Sequence, residues 1–256
     1  MNISSPTAHR VALCLVLYLA LYTTAAGLAA TESGETESLR VEAYRANLLT
    51  TYEERIVGQR LAYLYEQRHV PLREAAIEAR LDKVKARLRA GGDSALPELE
   101  IKVIRGSQPG AVSFPPGYVY ITSALLKLAA TDDELAAVIA HEAAHITNRD
   151  MSRMIAMSLA LPTAEQGSFP TRRMIVTGQA IQFAFPQGLD EARLRCEMEA
   201  DKMAVGWMER AGYSPHALAQ LLEAVRARLP LQAQPERVAL KERVILLREE
   251  SFLALK

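Results

Sequence analysis

The chain has 256 residues, half of them apolar and 23% charged, enough for one sizeable core and ordinary for a water-soluble fold. Thirty basic and thirty acidic side chains cancel, with no basic cluster, and only Trp207 and five Phe are present. Nucleic acid is therefore excluded as an expected partner, and aromatic stacking platforms for single strands with it.

Residues 1–30 stand apart. A short segment ending in Arg10 precedes the apolar run VALCLVLYLALY and the small-residue stretch TTAAGLAA. This is the three-part layout of a secretory signal, with cleavage expected between Ala26 and Ala30. The alternative is an uncleaved anchor, because Val11 to Thr31 is uncharged and about long enough to span a bilayer. Either form places the protein outside the cytoplasm, in the periplasm or cell envelope. Residues 31–40 read as a polar, disordered leader, and 41–256 as a single domain. Once the signal is removed Cys196 is the only cysteine, which precludes an internal disulfide.

Residues 41–68 carry apolar side chains at helical spacing, one or two helices with a break expected at Gly58. A second amphipathic helix follows Pro71 and stops at Gly91-Gly92. ELEIKVIR (98–105) alternates as a strand does, and GYVYIT after the turn-forming QPG alternates again before the short helix LLKLAA. Tyr118, Val119, Tyr120, Ile121 and Thr122 are the expected strand along a cleft, with an edge able to pair with extended polypeptide. Residues 163–190 read as a loop-rich segment over that cleft with one short helix. Residues 190–210 are strongly helical, HALAQLLEAVRARL is another helix, and an amphipathic tail helix closes the chain.

The stretch TDDELAAVIAHEAAHITNRD (131–150) carries the chemistry. Thr131 and Glu134 have capping-box spacing, and no Gly or Pro interrupts the helix that follows. His141 and His145 lie one turn apart on one face, so two imidazoles converge where a metal can sit. Glu142 is turned about 100° from His141, within reach of a water there but not an obvious ligand. This is the H-E-x-x-H pattern. A catalytic zinc needs a third protein ligand. Glu197 in EMEAD is the best candidate, and Asp201 one turn on is placed to hydrogen-bond a ligand imidazole. Cys196, His69 and His216 are weaker candidates for the third ligand. Glu142 is the expected general base. Tyr213, His216, Arg237 and Arg243 are candidate oxyanion donors among which the sequence does not choose.

FPPGYVYITSALL (114–126), DDELAAVIAHEAAHITNRD (132–150) and EMEADKMAVGWMERAGYSP (197–215) together resemble the M48 peptidases. The resemblance implies one Zn2+ per chain on His141, His145 and Glu197, Glu142 as base and Asp201 behind a ligand. It also implies an α+β, predominantly helical fold with a small β-sheet beside the H-E-x-x-H helix, as in gluzincin-like zinc peptidases. The implied activity is endopeptidase cleavage of misfolded or misassembled envelope proteins. A chaperone-like or scaffolding metal-binding member with slow hydrolysis is the alternative. Protein or peptide substrates, with membrane or envelope association, are the implied partners.

The chain departs from the family in places. Many members carry Arg-His after the metal helix where this chain has Arg149-Asp150, and many carry a Ser-Arg just before the third ligand. A His-Pro loop before the last helix is common, and the nearest match here is Gln234-Pro235, without histidine.

Overall fold

The structure, a computed structural model, describes residues 49–91, 95–154, 190–230 and 233–253. The expected signal and leader, and the segment 163–190 but for its last residue, lie outside the described residues.

The fold is mostly helical with a small sheet, as expected, and the sheet has three strands among the described residues. Helix α1 (Thr51–Glu66) begins with a capping box between Thr50 and Glu53. Helix α2 (Ala75–Ala90) ends at Gly91. Strands β1 (Glu100–Ile104), β2 (Ala111–Phe114) and β3 (Tyr118–Thr122) follow, then the short helix α3 (Ser123–Leu128) and α4 (Asp132–Thr147). Helices α5 (Asp190–Arg210), α6 (His216–Arg228) and α7 (Gln234–Leu253) complete the described chain.

The sheet order is β1-β3-β2, with β1 parallel and β2 antiparallel to β3. Alternation along β3 divides its side chains between two layers. Val119 and Ile121 join the main core with α2, α4, α5, α6 and α7. Tyr118 and Tyr120 face the other way, against Ala62 and Tyr65 of α1 and Phe114 of β2. The sheet is thus covered on both faces.

Two expectations change here. Gly58 does not break α1, which runs through it. A Cβ at Gly58 would come within 1.9 Å of the Pro115 carbonyl oxygen, so the glycine serves close helix-to-turn packing. The strand AVSF, β2, was not anticipated, because four residues are too few to show an alternation.

Helix α4 has the capping box its sequence predicts. Thr131 Oγ1 accepts from the Glu134 N–H at 3.2 Å, and Glu134 Oε2 accepts from the Thr131 N–H at 2.9 Å. Beyond the first turn α4 is sheathed by protein, with Leu135, Ala136, Ala137, Ile139, Ala140, Ala143 and Ala144 wholly buried. Helix α5 is its most extensive partner and presents the buried Ala200 and Ala204. Small side chains on both helices let the backbones approach closely. That approach, rather than any local signal, sets the distance between the two halves of the site.

Gly58→Ala should destabilise the protein by at least about 1–3 kcal/mol, since backbone rather than a flexible side chain blocks the added methyl. Denaturant unfolding of the variant checks this.

Candidate metal centre

His141 and His145 are separated by one turn on the same face of α4, and Glu197 reaches them from α5. His141 Nε2 and His145 Nε2 face each other at 3.0 Å, with ring planes at 88°. Glu197 Oε2 lies 3.4 Å from His141 Nε2, and Oε1 lies 3.8 Å from His145 Nε2. These three residues form a donor group able to hold a metal ion, the only such group among the described residues.

The donors fit an ion. One bound tetrahedrally at about 2.0–2.1 Å holds its ligand atoms roughly 3.3 Å apart, which the separations of 3.0, 3.4 and 3.8 Å bracket. The outer nitrogens of both rings are engaged by carboxylates. His145 Nδ1 lies 2.7 Å from Asp150 Oδ2. His141 Nδ1 lies 2.9 Å from Asp201 Oδ1, in ion-pair range though out of line for a hydrogen bond. An ionised carboxylate only accepts, so each ring is directed to keep its proton on Nδ1 and turn Nε2 inward. Two inward lone pairs 3.0 Å apart repel unless a cation, whether a proton or a metal, sits with them.

Arg243 of α7 completes the cluster. Its Nε and Nη2 donate to the two oxygens of Asp201, each at 2.7 Å, and its Nη1 donates to Glu197 Oε2 at 2.6 Å. All three groups are buried or nearly so. Burial alone would raise both carboxyls, but Arg243 and His141 hold Asp201 below its ordinary range, and Arg243 with both histidines holds Glu197 well below. Burial also opposes a charge on His141, yet Asp201 and Glu197 outweigh it and push its pKa up to about 10. Glu142, one residue after His141, is 7% exposed.

The remaining candidates fall elsewhere. Tyr213 stacks beneath Arg87 of α2 with 4.2 Å from guanidinium to ring centre, and the adjoining Ser214 N–H bonds Asp133 at the first turn of α4. That turn is roughly 12 Å along the helix from His141, which sets Tyr213 apart from the metal donors, and His216 is exposed at the first residue of α6. Arg237 donates to the Arg226 and Leu229 carbonyls and so closes the end of α6. Arg243, one of the four candidate oxyanion donors, is at the site, but Nε, Nη1 and Nη2 all point at carboxylates, which makes it a holder of Glu197 and Asp201. Cys196 is buried and outside the donor group.

The expectation for Tyr118–Thr122 also needs correction. β3 is the central strand, bonded on both sides, and has no edge to offer. Among the described residues, the strand beside α4 with an unpaired outer edge is β2.

The role of one contributor and the presence of another were not recognised from sequence. Arg243, expected only as a candidate oxyanion donor, interrupts the buried stripe Leu240, Val244 and Leu247, and an arginine there implies a buried anionic partner. Asp150 gave no periodic signal, because it lies past the helix end.

An H-E-x-x-H helix faced by a carboxylate from a second helix defines the metallopeptidase class. Residues 71–250 match peptidase family M48, well over half of the chain, and the protein belongs to that family. It is similar to a putative beta-barrel assembly-enhancing protease of Vibrio cholerae, 25% identical over 67% of this chain and 37% of the relative. The beta-barrel assembly-enhancing protease of Escherichia coli K12 is 24% identical over 62% of this chain and 35% of its own length. Mitochondrial metalloendopeptidase OMA1 of Schizosaccharomyces pombe is 32% identical over 50% and 38% respectively. The matched region thus spans little more than a third of each of these relatives.

Arg243→Met leaves two buried carboxylates without their cation. It should cost the metal-free protein about 3–5 kcal/mol, read by denaturant unfolding, and a divalent ion should restore part of the loss.

Proposed function

We propose that the protein is a zinc endopeptidase that cleaves extended or misfolded polypeptides in the cell envelope. The observation that carries this is the convergence of His141, His145 and Glu197, with Glu142 adjoining them on α4. His141 and His145 would hold zinc through Nε2 and Glu197 through its carboxylate. Bound zinc supplies a Lewis acid that polarises a carbonyl and lowers the pKa of water to about 7. Glu142 takes the proton from the attacking water and passes it to the leaving amine as the peptide bond breaks. Asp201 keeps His141 oriented, and Arg243 keeps Glu197 anionic and in place.

Substrate backbone is aligned by β2. The Thr122 N–H bonds the Gly110 carbonyl, so alternation turns Gly110, Val112 and Phe114 towards β3 and the backbone groups of Ala111 and Ser113 outward. An unfolded segment can add there as a strand, which favours substrates that have lost or not yet gained structure. The export-signal layout of residues 1–30 supports an envelope location. The names of the bacterial relatives, beta-barrel assembly-enhancing proteases, support quality control there.

Zinc content and casein cleavage of wild type and Glu142→Gln test the reading. Wild type should carry stoichiometric zinc and cleave, whereas Glu142→Gln should keep the metal and lose at least about 100-fold in kcat. A zinc-loaded wild type that cleaves no unfolded substrate would favour a binding or scaffolding role. Ser113→Pro, which deletes an outward N–H of β2, should raise KM for peptides about tenfold at unchanged zinc content.

A further inference from the structure

We propose that Asp150 is a positioning residue of the metal centre, a second carboxylate that fixes His145 as Asp201 fixes His141. The inference rests on the metal-centre reading above. It concerns a position at which this chain departs from the Arg-His common among the M48 sequences it resembles.

Three observations carry it. First, Asp150 is 3% exposed and its Oδ2 lies 2.7 Å from His145 Nδ1. A buried carboxylate at that distance makes a charge-assisted bond, sets the tautomer and strengthens Nε2 as a donor, whereas a neutral imidazole there could accept the bond only without the charge.

Second, the backbone is bent to bring Asp150 there. On an uninterrupted helix, a residue five beyond His145 would lie about 140° round the axis, away from the ring. Instead α4 ends at Asn148, and Arg149 takes a left-handed conformation with φ 59°. A non-glycine residue costs about 1–2 kcal/mol in that region. The Arg149 side chain is anchored, with Nε donating to buried Glu54 at 2.7 Å and Nη2 to the Leu49 carbonyl at 2.6 Å. The anchor offsets the strain and swings Asp150 back beneath His145.

Third, Asp150 is itself held. Arg153 Nη1 contacts its Oδ1 at 3.3 Å and donates to Glu199 Oε2 at 2.8 Å. Glu199 stands on α5 two residues after Glu197, so the support of His145 is tied to the helix that brings the third donor.

The test uses the full chain and zinc alone, with affinity read by competition against a chromophoric chelator. Asp150→Asn should weaken zinc about 10–100-fold, and Asp150→Glu should recover part of the loss. Arg153→Gln, which removes the ion pair but keeps the carboxylate, should change affinity much less than Asp150→Asn. Asp150→Asn binding zinc as tightly as wild type, while His141→Ala does not, would overturn the proposal and leave the metal centre standing. Undiminished binding by His141→Ala would instead remove the metal centre, and the proposal with it. A wild-type measurement decides the matter even if Asp150→Asn does not fold. In the zinc-loaded wild type the His145 Nδ1 proton should resonate far downfield and exchange slowly, as an N–H bonded to a buried carboxylate does, and a shift and exchange rate like those of a solvent-exposed imidazole N–H would refute the assignment.

Discussion

Everything around the candidate site depends on a buried balance of charge shared by three helices. Two imidazoles come from α4, two carboxylates from α5 and one guanidinium from α7. Each group would be costly to bury alone, and each is acceptable because the others are there. The helices therefore cannot slide or separate independently near the site. The alanine-rich contact between α4 and α5 permits the approach, and the ion pairs specify its register. Apolar packing of small residues is permissive about rotation and shift; a bidentate Arg243–Asp201 pair is not.

Much of this was legible in the chain, for reasons that are local. The capping box at Thr131, the uninterrupted apolar spacing and the His141–His145 pair all lie within one helix, where a period of 3.6 residues converts order into geometry. Glu197 and Asp201 were readable because they share one face of a second helix. What escaped was long-range or aperiodic. The neighbour of Arg243 is 42 residues away, and nothing in sequence says whether its guanidinium meets a carboxylate or a substrate. Asp150 owes its place to a single left-handed residue after the helix. Gly58 signalled a break by propensity, while the structure uses it for contact with a turn more than fifty residues on.

The sheet makes the same point about function. The alternation in GYVYIT identified a strand correctly, but alternation cannot say whether a strand is central or at an edge. β3 is the strand most strongly written in sequence because it is buried on both faces and bonded on both sides. Among the described residues the free edge belongs to β2, which is short and only partly buried. The stretch that is easiest to read is thus the one least able to receive a partner.

The separation of the donors along the chain has a topological consequence. His145 and Glu197 are 52 residues apart in sequence, yet their side chains share one site. An ion bridging them closes a loop of that length, as a disulfide would, in a chain with only two cysteines. By the entropy of loop closure such a crosslink restricts the unfolded chain by about 4 kcal/mol. The ion would then act as a removable staple, and the availability of the metal in the surroundings would set how long the protein itself stays folded.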